Sequence, residues 1–295
     1  MNNKPQDCLS LGPNTDWLND HLARLKAEGR LRRPTSNSGL IDFSSNDYLG
    51  LARDTQLHER AMERHRTSGL PHGSTGSRLL TGHFALTQET EQQIANYLNA
   101  ESALLFPSGY QANVGLLSSI ASRHDTIIYD ALVHASIHDG LRLSRAKTQR
   151  FRHNDVADLE KKLKQTEGKV FVVIESLYSM DGDQAPLDAI STLVQQDNAH
   201  LIVDEAHAVG IHGPGGRGLC VSAGIEGACF ARVVTFGKAL GVHGAAVLVS
   251  APLKQYLLNS ARSQIFTTAL SPPALQWLGV AFEELPNLEA KRQHV

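Results

Sequence analysis

From residue 102 onward, short apolar runs alternate with helical patterns, and this constrains the fold more than any other feature of the chain. Runs at 102–106, 126–130, 169–175, 199–203, 231–236 and 244–250 read as strands. Patterns near 110–121, 135–144, 155–165 and 187–197 place apolar residues three and four apart and read as helices between several of them. Strands joined through helices pair in parallel, because a parallel connection needs a crossover of a dozen or more residues. The expected fold class is therefore α/β, with a mostly parallel sheet between two layers of helices. In such sheets ligands collect at the carboxyl ends of the strands.

The first hundred residues are less regular. Trp17, Leu18, Leu22 and Leu25 share a stripe that ends at Gly29, so about 15–28 reads as an amphipathic helix, followed by the basic stretch Arg30-Leu-Arg-Arg33. Ser38 to Leu51 reads as a short strand and a turn. A glycine-punctuated loop from His72 to Gly82 leads into a polar helix at about 86–99.

Composition narrows the function classes. With 295 residues, 41% hydrophobic and 20% charged, the chain is long enough for one large core or two ordinary domains, and it is neither disordered nor fibrous. A formal charge of -2 gives no global reason to expect nucleic acid or an anionic membrane as partner. Cys8, Cys220 and Cys229 form no CxxC pair and no even-numbered framework, and no apolar run is long enough to span a bilayer. The expectation is a cytoplasmic protein with no structural metal.

Three apolar runs end in chemistry. Lys238 follows Val233-Val-Thr-Phe-Gly, and a lysine there either snorkels to solvent or, lowered in pKa by burial, serves as an amine nucleophile able to form an imine. Thr235 and Gly237 beside it suit a phosphate. Asp204 ends Leu201-Ile-Val and reads either as a turn acid or as a carboxylate for a protonated ring nitrogen. His207 follows three residues later, and His134 follows the run at 126–130, where an imidazole is either structural or a face for a flat ring. Phe106-Pro-Ser-Gly109-Tyr110 leads a strand into a helix N-terminus, an anion site by its free N–H groups. Asp204-Glu-Ala-His207 also spells the acidic box of some helicases, yet neither Gly168-Lys169 nor Gly237-Lys238 lies in the GxxxxGK[ST] loop that a nucleoside triphosphatase requires. Fourteen histidines raise the question of a metal, but no HExxH is present.

Taken together, Asn46-Asp-Tyr-Leu-Gly, Gly73-Ser-Thr-Gly-Ser-Arg, Ser108-Gly-Tyr-Gln-Ala-Asn, His134-Ala-Ser, Glu175-Ser-Leu-Tyr-Ser-Met-Asp-Gly-Asp183, Asp204-Glu-Ala-His and Thr235-Phe-Gly-Lys resemble the α-oxoamine synthases, within the fold-type I superfamily of pyridoxal phosphate (PLP) enzymes. The resemblance runs from about residue 15 to the end. It implies a large PLP-binding domain with a seven-stranded sheet, and an enzyme that condenses an amino acid with an acyl-CoA. By motif, Lys238 would hold PLP, Asp204 would pair with its ring nitrogen and His134 would stack on the ring. His207 and Ser179 would bond the ring oxygen side, while Gly109, Tyr110 and Thr235 would meet the phosphate. Family sites lie at a homodimer interface, so Thr268 in Phe266-Thr-Thr268 would reach the partner's phosphate, and Arg32 and Asn46 would contact substrate.

The resemblance also implies an organisation: 1–45 as N-terminal helix and linker, 46–270 as the PLP-binding domain, and 271–295 as the start of a helix toward a C-terminal domain. In the family that domain supplies an arginine for the amino-acid carboxylate. A chain ending at Val295 is expected to leave apolar surface on the first and last helices exposed, and to bind PLP with little or no condensation activity.

Overall fold

The computed structural model describes residues 15–34 and 39–295. Cys8 and Ser38 lie outside the described residues. Two units are separated between Ser44 and Ser45. The first carries α1 (Asp16–Ala27), where the apolar stripe predicts a helix; its last turn holds Arg24 and Lys26, which complement the helix dipole.

The second unit is the α/β body. Its elements run α2 (Thr55–Ser68), α3 (Ala85–Tyr97), β1 (Ser102–Phe106), α4 (Gly109–Ser119), β2 (Thr126–Asp130), α5 (Ala135–Leu143), β3 (Lys147–Phe151), α6 (Val156–Lys164), β4 (Val170–Glu175), α7 (Leu187–Gln196), β5 (His200–Asp204), α8 (Leu219–Ser222), β6 (Cys229–Thr235), β7 (Ala245–Val249), α9 (Ala251–Ser260), α10 (Arg262–Ile265), α11 (Pro272–Glu284) and α12 (Glu289–His294). The seven strands form one sheet in the order β1-β7-β6-β5-β4-β2-β3. Only β7 runs antiparallel to its neighbours β1 and β6. The parallel sheet that the alternation predicts is present.

Period-2 alternation along the strands decides what faces what. Phe171 and Val173 of β4, Ile202 of β5 and Val233 of β6 point to one face, in a core shared with Leu116 and Leu117 of α4, Ile137 and Leu141 of α5 and Leu257 of α9. Val172, Ile174 and Val203 point to the other face, against Leu159 and Leu163 of α6 and Ile190 and Val194 of α7. Toward β1, that second face is covered instead by Leu57 of α2, Ile94 of α3 and Leu275, Leu278 and Phe282 of α11.

Three sequence expectations need correction. No strand forms within residues 39–51, which make bends and turns ending in a short 3-10 turn, Leu51–Arg53. Asp47 explains this locally, since its carboxylate accepts the Ala52 N–H at 3.2 Å and closes a turn where a strand would need extended backbone. The strand read at 231–236 is shifted: β6 runs Cys229–Thr235, and Lys238 follows in the turn toward β7. Finally, the last long helix does not present its apolar side: Leu275, Leu278 and Phe282 are buried. Several elements also escape the sequence pattern: α2, the edge strand β3, and the helices α8, α9 and α10.

Candidate active site

Glu175, Asp204 and Thr235 end β4, β5 and β6. Each keeps the parity of Val173, Ile202 and Val233, so each side chain falls on the face covered by α4 and α5. Register reinforces this: Glu175 pairs directly with Asp204 across the β4–β5 ladder. The strand ends therefore bring two carboxylates and a hydroxyl into one place, and the N-termini of α4 and α5 close over it. A cavity of about 130 Å³ lies there, lined by Gly109, Tyr110, Asn113, His134, Ser136, Glu175, Asp204, Ala206, His207, Thr235 and Lys238.

Polar contacts fix the floor. Asn113 Nδ2 of α4 donates to Asp204 Oδ2 at 2.7 Å and to Ser136 Oγ at 3.0 Å, and the Ala206 N–H donates to Asp204 Oδ1 at 2.9 Å. His134 caps α5, and its Nδ1 accepts the Ser136 N–H at 3.2 Å while lying 2.7 Å from Ser136 Oγ. An accepting Nδ1 leaves the ring proton of neutral His134 on Nε2. The backbone N–H of His134 donates to Glu175 Oε1 at 2.5 Å.

Charge is concentrated and mostly out of water. Burial pushes the Glu175 carboxyl up to about 8, and the Asp204 charge beside it acts in the same direction. Lys238 Nζ lies 2.5 Å from His207 Nε2. Burial lowers the lysine's pKa, against the pull of Asp204 and Glu175. The imidazole of His207 is held down to about 4, chiefly by burial and then by the Lys238 charge. A buried amine with a depressed pKa next to a neutral imidazole is a nucleophile or base in waiting.

At the far side of the cavity, α4 begins at Gly109 after the N-cap Ser108, whose hydroxyl accepts the Gln111 N–H at 3.2 Å. First-turn N–H groups have no partner within the helix and favour an anion. A Cβ on Gly109 would come within 3.3 Å of Thr235, so the bare glycine leaves a recess between the helix end and that side chain. Glu205 turns away from the cavity: one oxygen accepts the Cys220 N–H at 2.9 Å and the other lies 3.4 Å from Arg232 Nη1. The acidic box is thereby split between two sites.

Of the residues singled out from sequence, Gly109, Tyr110, His134, Asp204, His207, Thr235 and Lys238 line this cavity together. Ser179 sits exposed in the turn after β4, Thr268 is exposed between α10 and α11, and neither is among the lining residues. Asn46 is exposed and accepts a hydrogen bond from the Tyr48 hydroxyl at 3.1 Å. Arg32 belongs to the first unit. Asn113, Ser136, Glu175 and Tyr48 stand inside the motifs quoted from sequence, but sequence reasoning gives none of them a role. Glu175 was within reach, since it ends an apolar run two residues past Val173 just as Asp204 ends another two past Ile202. Asn113 was within reach one helical turn after Gly109; Ser136 and Tyr48 are marked only by the motifs His134-Ala-Ser and Asn46-Asp-Tyr-Leu-Gly, with no strand-end or helix-turn position to give them a role.

The family model for aminotransferase class I and II matches residues 38–295. The chain is 43% identical over 263 residues to an 8-amino-7-oxononanoate synthase of Chlorobaculum parvum, covering 87% of this chain and 67% of that protein. It superposes on Sphingomonas wittichii serine palmitoyltransferase with a TM-score of 0.85 at 32% identity, covering 97% of this chain and 75% of that one. A second serine palmitoyltransferase, from S. paucimobilis and solved with bound PLP-myriocin, gives a TM-score of 0.82 at 31% identity over 95% of this chain and 74% of that one.

Proposed function

The chain belongs to the aminotransferase class I and II family, and from that premise we propose that it carries the PLP site of an 8-amino-7-oxononanoate synthase, joining L-alanine to pimeloyl-CoA with loss of CoA and carbon dioxide in biotin synthesis. The observation that carries this reading is the gathering of Lys238, His207, Asp204 and His134 around one cavity beside the N-terminus of α4. These residues fit the cofactor. An aldehyde calls for an amine of depressed pKa, which is Lys238; a protonated pyridine calls for a fixed carboxylate, which is Asp204. A phosphate calls for free N–H groups in a recess, which the bare Cα of Gly109 opens beside Thr235.

When bound, PLP supplies an electron sink for the carbon next to the substrate amine. The chain's own residues do the rest. Lys238 Nζ would hold the cofactor's aldehyde carbon and, as the amine nearest that carbon, would be the base for the substrate's α-proton. Asp204, held by Asn113 and the Ala206 N–H, keeps the ring nitrogen protonated. His134 offers its ring face, with its orientation fixed through Nδ1 by Ser136. His207 would hydrogen-bond the ring-oxygen side through Nε2.

A homodimer in the cytoplasm fits the same reading. Thr268, exposed and absent from the cavity lining, then serves the partner's phosphate, and Phe266, Leu79 and Leu80, all exposed, provide apolar surface for the contact. Ser179, Asn46 and Arg32 are assigned to ligand contacts on the strength of the motifs alone. The 43% identity to a named 8-amino-7-oxononanoate synthase favours this member over the serine palmitoyltransferase type, which is 32% identical. The test is CoA release by the PLP-loaded protein. Release from pimeloyl-CoA, slow as the sequence leads one to expect, should be fastest with L-alanine and slower still with glycine or L-serine. A preference for L-serine with a long-chain acyl-CoA would move the protein to the other type, and no release with any pair while PLP stays on Lys238 would leave a binding protein and overturn the enzymatic reading.

A further inference from the structure

We propose that Tyr48 is a positioning residue: its hydroxyl, anchored on Asn46, holds the His207 imidazole in the tautomer that turns a bare Nε2 toward Lys238. Tyr48 Oη lies 3.1 Å from Asn46 Oδ1 and 2.8 Å from His207 Nδ1. A hydroxyl has one proton, and an amide oxygen can only accept. The proton therefore goes to Asn46, and the phenol oxygen is left to accept from Nδ1–H. A neutral imidazole has one N–H, so Nε2 carries the lone pair, and the Lys238 amine 2.5 Å away donates to it. The four groups form a one-way chain from the cavity to exposed Asn46.

Direction matters for the amine. In this arrangement His207 takes a proton of Lys238 in its hydrogen bond and leaves the nitrogen lone pair free to attack a carbonyl. The opposite tautomer would place Nε2–H against that lone pair and block it. It would also set Asn46 Oδ1 against phenol lone pairs with no proton between them.

The segment that carries Tyr48 is built to hold still. Tyr48 N–H donates to the Asn46 carbonyl at 2.8 Å, Gly50 N–H to the Asp47 carbonyl at 3.0 Å, and Lys291 Nζ to the Leu49 carbonyl at 3.2 Å. Leu49 and Leu51 on either side are buried. The same segment presses on the turn that bears Lys238: a Cβ on Gly241 would fall 2.3 Å from the Ala52 nitrogen. Tyr48 and Lys238 are therefore positioned against each other through backbone as well as through His207. Burial keeps the phenol protonated, as the chain of donors requires.

The consequence for catalysis rests on the reading of Lys238 as the PLP anchor, whereas the tautomer can be measured without PLP. The experiment is nitrogen NMR of protein labelled at the histidine ring, with the His207 signals assigned by their loss in His207→Gln. The wild-type protein should show Nδ1 protonated and Nε2 bare, with a preference of about tenfold or more, the scale of one hydrogen bond. Tyr48→Phe should bring the two tautomers to within a few-fold and slow attachment of PLP to Lys238 by about tenfold. Asn46→Asp, which keeps the acceptor, should retain the wild-type tautomer, and Asn46→Leu, at an exposed position, should lose it. A protonated Nε2 in the wild type, or an unchanged tautomer in both Tyr48→Phe and Asn46→Leu, overturns the proposal. Failure of PLP to attach to Lys238 in any variant, with the tautomers as stated, overturns the cofactor reading and leaves the positioning role standing.

Discussion

Glu175 is the residue whose environment departs furthest from what its sequence neighbours suggest. It is almost fully buried, lies beside Asp204 in register, and receives one strong hydrogen bond from the His134 N–H. With its pKa raised to about 8, the folded protein keeps a proton there that the unfolded chain has lost by about pH 5. The folded state binds the extra proton between those values, so stability falls as pH rises through the window. Glu175→Gln retains an acceptor for the His134 N–H and removes the charge. Thermal unfolding should show the wild type losing on the order of 1–3 kcal/mol between pH 5 and pH 8 while the variant stays nearly flat. Parallel pH curves for the two proteins would place the proton elsewhere. Asp204→Asn tests the opposite role at the next strand: it should leave PLP attached to Lys238 yet slow exchange of the amino acid's α-proton by several orders of magnitude, because an uncharged ring nitrogen is a poor electron sink. Exchange at the wild-type rate would show that another group does that job.

Among the elements, the segment after β4 depends on a charged clamp. His153, just past β3, places Nδ1 2.8 Å from Asp130 Oδ1 at the end of β2 and Nε2 2.7 Å from Asp183 Oδ2. Its ring also lies edge-on to Tyr178 at 4.5 Å between centroids. Burial opposes the charge, but hydrogen bonds to the two carboxylates outweigh it and the pKa is raised. A raised folded pKa means the clamp's contribution is complete below about pH 6.5 and is lost as pH rises through the folded value. Hydrogen exchange in residues 177–184, which include Ser179, should therefore accelerate above neutral pH, by several-fold beyond the intrinsic base-catalysed rate. His153→Gln should show that acceleration at all pH values; equal protection in variant and wild type would remove the clamp. The elements themselves were unevenly legible. Central strands such as β4 are buried along their whole length and print a continuous apolar run. β3, Lys147-Thr-Gln-Arg-Phe151, buries only Phe151 and lies at the sheet edge, so its sequence lacks that signature. α2 buries only Leu57 and Ala61 among fourteen mostly polar residues, and its start is set by the Asp54 cap rather than by a stripe.

For the molecule as a whole, the sheet and the strand-end chemistry could be read from sequence because parity and strand length determine them locally. The links that make a site of them could not, because Asn113 with Asp204, and Tyr48 with His207, join residues 91 and 159 positions apart. Nor is the packing of α11 against α2 and α3 written in its own residues: its apolar side was expected to be exposed, and it closes the core beneath β1 and β7 instead. The central claim is that this core sets one amine, Lys238, to anchor PLP. The direct measurement is borohydride reduction of the protein after incubation with PLP, followed by peptide mass analysis. The account predicts a single pyridoxyl adduct on Lys238 and none in Lys238→Ala; an adduct spread over surface lysines, or one that persists in Lys238→Ala, would contradict it.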